Sequence, residues 1–274
     1  MFAAVFPGQG SQSLGMMSEL HSASSIVRDT FKEANSELGY DLWNLIVNGP
    51  EAQLNDTLYT QPAMLVAGVA AWRFFKSKTT INPSIMAGHS LGEYTALVCS
   101  GVLDFQETIN LVKYRAQLMQ QAIPPNSGAM AAILGLEDQG VIDACKAVEE
   151  DEIVEAVNFN APGQIVIAGE KNAVERAITF CKEKGARRAM LLNVSIPSHC
   201  KLMQPAAIKL KEKLEDVSYN KAIIPVLNNV DVQFYSDKNS VIQGLMRQLY
   251  NPVRWADIVR EFVRREIVIS VEYG

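Results

Sequence analysis

Residues 84–94 read SIMAGHSLGEY, and this stretch decides the fold around it. The run Ser84 to Ala87 predicts a short strand, and the residues after Gly92 predict a helix that continues to Gly101. Between them lies a G-x-S-x-G motif, in which glycines flank Ser90 because larger side chains would clash in so tight a turn. The motif predicts a nucleophile elbow, with the serine hydroxyl held at a helix N-terminus where backbone N–H groups stabilise negative charge.

A serine nucleophile needs a base, and the chain has only three histidines. His21 lies among serines on a polar helix stretch and is expected to face solvent. His89 is adjacent to Ser90, and neighbouring side chains diverge in a sharp turn, so packing or hydrogen bonding suits it better. His199, in a proline-containing loop, is therefore the candidate base. No acidic residue is marked out by spacing as its partner, so a backbone or amide carbonyl could orient the ring instead.

A second glycine-rich loop, FPGQG at residues 6–10, follows the first predicted strand. Such a loop can supply a second N–H group to an oxyanion hole. It is not a dinucleotide-binding fingerprint, because Ser13 occupies the third glycine position. The chain also has no Walker A loop and no HExxH motif.

Arg115 falls in the middle of an apolar helix stripe, which is formed by Leu111, Leu118, Met119 and Ala122. A buried charge without a partner is prohibitive, so this arginine needs an anion or a route to water. The pattern leaves three explanations open: an internal salt bridge, a side chain that reaches back to the surface, or an anionic ligand. The first two are the commoner fates of such an arginine.

Strands and helices alternate in the two outer parts of the chain, which predicts a mostly parallel sheet with helices on both faces. The fold class is therefore α/β, and for a chain that also carries a nucleophile elbow we expect an α/β-hydrolase-like core. The elements predicted there are a strand at 2–6, a helical face from Met17 to Leu38, a short helix from Asp41 to Gly49, a helix that starts at Pro62 and reaches Phe75, a helix at 105–122 with a capping box of Asp104 and Glu107, a helix at 201–214, a strand at 223–227, helices at 239–249 and 253–265, and a strand at 267–271.

The turn-rich sequence PPNSG at 124–128 begins a region of different texture. The elements predicted there are strand 129–135, helix 137–147, strand 153–159, strand 164–170, helix 172–184 and strand 186–194. This βαββαβ order is typical of a ferredoxin-like subdomain. We expect that subdomain at 125–196, inserted into a catalytic subdomain of residues 1–124 and 197–274, with the site in the cleft between them.

Composition and charge argue against several classes of function. The chain has 25 lysines and arginines and 30 aspartates and glutamates, which gives a net charge of −5. This charge argues against a general nucleic-acid or anionic-membrane surface. The longest apolar run, Met64 to Trp72, is far shorter than the roughly twenty residues that span a bilayer. The N-terminus lacks the features of a signal peptide. Four cysteines without CxxC pairing fit reduced thiols in the cytoplasm and argue against a zinc site.

Seven stretches of the chain resemble, in order, the malonyl-CoA:acyl carrier protein transacylase family. They are FPGQGSQ at 6–12, TQPA at 60–63, GHSLGEY at 88–94, RAQLMQ at 115–120, VNFNAPGQIVIAG at 157–169, VSIPSHC at 194–200 and LYNPVRW at 249–255. The resemblance implies that Ser90 accepts the acyl group, that His199 is its base and that a main-chain carbonyl near Gln248 orients the histidine. It also implies an oxyanion hole at the backbone N–H groups of Gln9 and Leu91. The substrate-binding residues that it implies are Arg115, which pairs with the malonyl carboxylate, and Asn160, His89 and Met119.

The resemblance further implies ping-pong acyl transfer without a metal or redox cofactor. Malonyl-CoA acylates the serine, coenzyme A leaves, and the phosphopantetheine thiol of an acidic acyl carrier protein takes the malonyl group. Nucleic acid and membrane are not expected as partners, and the protein is expected to be a cytoplasmic monomer. Family members usually continue past the last strand with Gly-Pro-Gly and a helix, so a chain that stops at Gly274 is expected to be a shortened form.

Three alternatives stand beside that assignment. An esterase would use the same elbow with water as acceptor, but it predicts a histidine late in the chain, and here seventy-five residues follow His199. A non-catalytic docking module would lack Ser90 or His199. A polyketide-type acyltransferase usually has a different tetrapeptide in place of residues 196–199.

An acidic carrier protein needs a local basic surface on an acidic enzyme. The densest basic cluster lies at the end of a predicted subdomain helix and the start of the following strand, where it could also be an ordinary solvated helix end. We call this cluster the basic patch; it comprises Lys182, Lys184, Arg187 and Arg188.

Overall fold

The computed structural model describes residues 1–194 and 196–274; Ser195, in the predicted loop before His199, lies outside them. The strands are β1 (Ala3–Phe6), β2 (Ile85–Gly88), β3 (Gly128–Leu134), β4 (Val154–Ala161), β5 (Gln164–Glu170), β6 (Arg188–Leu191), β7 (Val226–Leu227) and β8 (Ser270–Glu272). The helices are α1 (Ser18–Ala23), α2 (Ser25–Leu38), α3 (Leu42–Asn48), α4 (Glu51–Leu54), α5 (Thr57–Lys78), α6 (Gly92–Cys99), α7 (Phe105–Gln121), α8 (Asp138–Val148), α9 (Lys171–Glu183), α10 (Gln204–Glu215), α11 (Lys238–Gln248) and α12 (Trp255–Arg264), with a 3-10 turn at Lys201–Met203 before α10.

The first sheet is parallel, with strand order β7-β2-β1-β8. Every residue of β1 and β2 is buried, which explains why both strands read as short uninterrupted apolar runs. Phe6 lies opposite Gly88, and Ala87 lies opposite Leu227, so the carboxyl ends of three strands meet at one edge of the sheet. Loops that leave such an edge are where α/β proteins place their ligands.

The second sheet is antiparallel, with strand order β4-β5-β3-β6. Helices α8 and α9 cover one face, where Ile133, Ile165, Val174 and their neighbours form an apolar core of their own. The order matches a ferredoxin-like βαββαβ unit, so the predicted α/β class with a parallel sheet and a second, smaller sheet is confirmed. The exact division at residues 124 and 196 stays a prediction.

Helix α5 starts earlier than the sequence suggests. Asp56 caps it by accepting a hydrogen bond from the Leu58 backbone N–H at 2.9 Å, so Pro62 lies inside the helix and its predicted place at the first position is wrong. Proline at this position removes one backbone hydrogen bond. Residues 62–72 are buried on every side of the helix, and that apolar burial offsets the loss.

Three smaller predictions also differ from the structure. The helical face from Met17 is interrupted at Ser24, whose extended backbone separates α1 from α2. Strand β7 has two residues rather than five, because Pro225 has no N–H for a sheet ladder and Ile223 instead bonds to the carbonyl of Ser100. Asp104 does cap α7, but the carboxylate of Glu107 accepts a hydrogen bond from Ser218 rather than closing a capping box.

Within residues 1–194 and 196–274, no helix is both long and apolar enough to cross a membrane.

Candidate active site

The elbow, residues 88–92, turns the chain sharply from β2 into α6. Ser90 has φ of 51°, a left-handed conformation that is unusual for a side-chain-bearing residue. A Cβ atom on Gly88 would lie 1.9 Å from the carbonyl oxygen of Gly92, and one on Gly92 would lie 2.0 Å from the carbonyl oxygen of Phe6. Both neighbours are backbone atoms that cannot move aside, so the two glycines are required as the motif predicts.

Ser90 and His199, 109 residues apart, meet above the elbow. Oγ of Ser90 lies 2.8 Å from Nε2 of His199, and Nδ1 of His199 lies 2.6 Å from the main-chain oxygen of Gln248. A carbonyl oxygen only accepts, so Nδ1 carries the proton and Nε2 is left to accept from the serine hydroxyl. Burial, reinforced by the nearby positive charge of Arg115, lowers the pKa of His199 to about 3. The imidazole is therefore neutral at pH 7 and ready to take a proton.

The backbone N–H groups of Gln9 and Leu91 are the predicted oxyanion hole. Gln9 follows β1, and Leu91 precedes α6; both line the same cavity as Ser90. Neither N–H has an acceptor among the described residues. The Gln9 side chain accepts a hydrogen bond from the Thr57 hydroxyl at 2.6 Å, which holds this loop against the start of α5.

Arg115 is only 1% exposed, so the explanation that it reaches back to the surface is wrong. Its guanidinium donates to Oε1 of Gln61 at 2.7 Å and to Oε1 of Gln248 at 3.0 Å, and it lies over the ring of Tyr94. No carboxylate among the described residues lies within salt-bridge distance, so the internal salt bridge is also wrong. One guanidinium nitrogen is 3.4 Å from Oγ of Ser90. A buried cation solvated by two amides is thus placed beside the candidate nucleophile, where an anion can bind.

Of the remaining substrate-binding candidates, His89 and Met119 line the cavity, and Asn160 is hydrogen-bonded to His89. His89 Nε2 donates to Oδ1 of Asn160 at 2.9 Å, and burial lowers the pKa of His89, so this ring is also neutral. Met119 lies against Gln61 and lines the cavity. His21 does not line the cavity; it is half-buried, and its ring stacks on that of Trp43 with 3.7 Å between the ring centroids.

Sequence reasoning missed a buried polar network beneath the elbow. The carboxylate of Glu93 accepts hydrogen bonds from the Tyr235 hydroxyl and from Nε2 of Gln248, and the side-chain amide of Asn229 contacts the elbow backbone. Burial raises the pKa of Glu93 to about 7, against the opposing effect of these hydrogen bonds. Glu93 and Gln61 stand in the quoted motifs GHSLGEY and TQPA, which was the available signal. Asn229 had none.

The site opens into a cavity of about 690 Å³. Residues from the two sheets line it together, including Ser90 and His199 from one side and Met130, Asn158 and Leu192 from the other. The cavity therefore lies between the parallel and antiparallel sheets, as expected. No cluster of three or more His, Cys, Asp or Glu side chains that could hold a metal ion occurs in the described part of the chain.

The basic patch lies outside this cavity, and all four of its side chains are exposed. Arg188 begins β6, the edge strand of the antiparallel sheet, and the chain then runs through Met190 and Leu191, which are 46% and 48% exposed, to Leu192 at the cavity wall. A strip of basic and apolar side chains thus leads along the sheet edge to the site.

Comparison with known proteins places this arrangement in a family. An acyl transferase domain model matches residues 3–273. The malonyl CoA-acyl carrier protein transacylases of Haemophilus influenzae and Escherichia coli K12 are 54% and 50% identical, over 100% of this chain and 88% of theirs. An acyl carrier protein S-malonyltransferase from Vibrio cholerae superposes with a TM-score of 0.97 at 52% identity, over 100% of this chain and 89% of that one. A malonyl-transacylase solved in complex with a type II PKS acyl-carrier protein superposes with a TM-score of 0.99 at 53% identity, over 100% of this chain and 88% of that one. The chain therefore belongs to the acyl transferase family, among its malonyl CoA-acyl carrier protein transacylases.

Proposed function

We propose that this protein transfers a malonyl group from malonyl-CoA to the phosphopantetheine thiol of an acyl carrier protein, through an ester on Ser90. The observation that carries the proposal is the placement of Ser90 Oγ, 2.8 Å from a neutral imidazole and 3.4 Å from a buried guanidinium that forms no ion pair with any carboxylate of the described residues. The first contact suits acyl transfer, and the second suits an acyl group that ends in a carboxylate.

In the first half-reaction, Ser90 Oγ attacks the thioester carbonyl while its proton passes to Nε2 of His199. The negative charge of the tetrahedral intermediate falls on the former carbonyl oxygen, where the N–H groups of Gln9 and Leu91 can stabilise it. The carbon–sulfur bond then breaks, and the imidazolium returns its proton to the departing sulfur of coenzyme A. The Gln248 carbonyl stabilises the transient imidazolium by accepting from Nδ1.

The second half-reaction runs the same steps in reverse order with a different thiol. His199 takes the proton of the phosphopantetheine thiol, whose sulfur attacks the malonyl ester, and the proton then returns to Ser90 Oγ as the ester bond breaks. The protein ends in its starting state, so each cycle moves one acyl group and no net protons.

Selection of the malonyl group falls to Arg115. Its two amide partners hold the guanidinium in place and leave its charge uncompensated by a direct anion. A malonyl carboxylate supplies that anion, whereas an acetyl group does not. Beside it, His89 and Met119 line the cavity that we assign to the acyl and pantetheine groups, and Asn160 holds the His89 ring by a hydrogen bond.

The basic patch is proposed as the carrier-protein docking surface. Its exposed cations suit an acidic partner, and the adjacent Met190 and Leu191 offer the apolar contact that rim charges alone lack. We also propose that the protein acts in the cytoplasm as a monomer, with residues 125–196 as an inserted subdomain and residues 1–124 and 197–274 as the catalytic one. The free state of all four cysteines suits a reducing compartment.

The deciding experiment follows the acyl group. The protein is incubated with malonyl-CoA, methylmalonyl-CoA or acetyl-CoA, and its intact mass is measured before and after addition of pantetheinylated carrier protein. We expect a malonyl adduct that disappears as the carrier protein gains the same mass. Release of free malonate at the same rate without carrier protein would favour an esterase, and absence of any adduct would contradict the proposal.

A further inference from the structure

The elbow is held by a side chain from the segment that follows the neighbouring strand β7. Oδ1 of Asn229 accepts a hydrogen bond from the Ser90 backbone N–H at 2.8 Å, and Nδ2 of the same amide donates to the Gly88 carbonyl at 2.7 Å. Asn229 lies two residues beyond β7 and is fully buried. One side-chain amide thus grips the backbone on both sides of His89.

These two hydrogen bonds take the place of the pairing between β2 and β7, which ends before the elbow. Pairing between β2 and β7 ends where Ala87 lies opposite Leu227, because the chain must turn at the elbow. Beyond that point a donor at Ser90 and an acceptor at Gly88 are left without strand partners. Buried backbone groups need partners, and a primary amide offers a donor and an acceptor in the same plane, as a peptide unit does. Asn229 therefore continues the ladder through its side chain.

The amide can adopt only one orientation. Its oxygen faces two donors, the Ser90 N–H and, at 3.4 Å, Nε2 of Gln248, while its nitrogen faces a carbonyl. The Asn229 main chain is fixed as well, because its carbonyl accepts from the Arg254 N–H at 3.0 Å and its N–H points to Glu93. A residue held at every polar atom can hold a strained neighbour in turn.

We infer that Asn229 is a positioning residue for the nucleophile, an inference that rests on the proposed role of Ser90. By fixing the backbone at Gly88 and Ser90, its amide keeps Oγ within 2.8 Å of His199 and keeps the Leu91 N–H beside the reacting carbonyl. Loss of the amide leaves the left-handed Ser90 free to relax toward ordinary backbone angles. Both the proton transfer and the oxyanion contact then lose alignment.

The chain offers a matched control in the preceding residue. Asn228 is also buried, and its side chain makes as many hydrogen bonds: Nδ2 donates to the Gln233 carbonyl at 2.8 Å, and Oδ1 accepts from the N–H groups of Val230 and Asp231. These bonds hold the turn after β7 and do not touch the elbow. Asn228→Ala therefore measures the cost of losing a buried asparagine without disturbing Ser90.

The test compares Asn229→Ala, Asn229→Asp and Asn228→Ala with the unsubstituted protein. The single-turnover rate of Ser90 acylation by malonyl-CoA, the KM for malonyl-CoA and the Tm are measured for each. We expect Asn229→Ala to lower the acylation rate by roughly tenfold to a hundredfold, since a small misplacement of reacting atoms has effects of that order. KM should change less than about twofold, because the contacts of Arg115 remain. Asn228→Ala should lower the Tm as much as Asn229→Ala does, and its acylation rate should equal that of the unsubstituted protein.

A second reagent separates positioning from substrate recognition. A neutral arylsulfonyl fluoride, which sulfonylates the serine with loss of fluoride, should react more slowly with Asn229→Ala by the same factor as malonyl-CoA. Asn229→Asp keeps an oxygen for the Ser90 N–H but, as a carboxylate, cannot donate to Gly88; we expect an intermediate rate, and this variant decides the matter if the alanine variant does not fold.

Equal acylation rates in the unsubstituted protein and in the folded Asn229 variants would overturn the inference, as would an equal rate loss in Asn228→Ala. Failure of the unsubstituted protein to form an adduct would instead count against the proposed function.

Discussion

The two sheets differ in where their polar side chains lie. Beneath the parallel sheet's elbow, Arg115, Glu93, Asn229 and Gln248 are all buried and joined by hydrogen bonds. In the described residues of the antiparallel half, the core between the sheet and helices α8 and α9 is apolar, and the basic patch is exposed. Parallel strands bring their carboxyl ends to one edge, so chemistry from distant residues converges there, whereas alternating strands share no such edge.

The contrast implies a division of labour. A change in the parallel half should alter the chemical step with every acyl acceptor, and a change at the outer edge of the antiparallel half should alter only the encounter with the carrier protein.

The largest effect is expected at the nucleophile and its base. Ser90→Ala should abolish the acyl adduct, and His199→Ala should slow its formation by roughly 10²–10⁴-fold, the usual contribution of a positioned general base. Stopped-time mass spectrometry with malonyl-CoA measures both. His21→Ala serves as the control and should acylate normally; the reverse pattern between the two histidines would show that the base is assigned wrongly.

The second-largest loss of activity is expected for Arg115→Ala. Truncating one member of a buried charge pair costs about 2–5 kcal/mol, which corresponds to a loss of roughly thirty-fold to a few thousand-fold in malonyl transfer. Acetyl transfer should not fall, because acetyl has no carboxylate to lose. Arg115→Lys should rescue only partly, since lysine keeps the charge without the two-pronged geometry. Equal losses with malonyl-CoA and acetyl-CoA would show that Arg115 supports the fold rather than the substrate.

A smaller effect is expected at the edge of the antiparallel sheet. Reversal of charge in the double variant Arg187→Glu/Arg188→Glu should slow transfer to the carrier protein by roughly tenfold at low salt, because steering by surface charge is of that order and is screened by salt. Acylation by malonyl-CoA should not change. The matched control is Lys209→Glu/Lys213→Glu, which reverses two exposed cations on α10. The same loss in both pairs would mean that net charge, rather than this surface, governs the encounter.

The smallest effect is a pH dependence of stability that distinguishes a buried acidic group from a buried basic group. Glu93 has a raised pKa of about 7, so its contribution is fully present below its ordinary pKa of 4.5 and is lost as the pH rises through 7. His199 has a lowered pKa of about 3, so its contribution is present above 6.5 and is lost as the pH falls toward 3. Between pH 4.5 and 6.5 the two slopes oppose each other.

Glu93→Gln should therefore remove one slope and leave the other. The free energy of unfolding of this variant should rise more steeply with pH between 4.5 and 6.5 than that of the unsubstituted protein. Urea unfolding at a series of pH values provides the measurement. His89, whose pKa is also lowered, is present in both proteins and cancels in the difference. Parallel curves would show that Glu93 does not change its proton affinity on folding.

Local stereochemistry explains what the sequence by itself determined. Glycine is required at 88 and 92 because a side chain there would clash with backbone atoms a few residues away or on the adjacent strand. The motif therefore predicts the turn from local sequence alone. The order of strands and helices between 128 and 191 follows from hydrophobic period, and it was sufficient to predict the second sheet. Elimination among three histidines selected His199, which lies at Ser90 in the structure.

Only the tertiary structure decided the partners of the buried polar groups. Arg115 is solvated by Gln61 and Gln248, which lie 54 and 133 residues away, and the elbow is held by Asn229 from 139 residues away. Amide side chains have no periodic signature, because a single glutamine or asparagine serves as well on a surface as in a core. Which of them meet depends on how the ends of β1, β2 and β7 converge, and that is set by packing of the whole sheet rather than by any stretch of neighbouring residues.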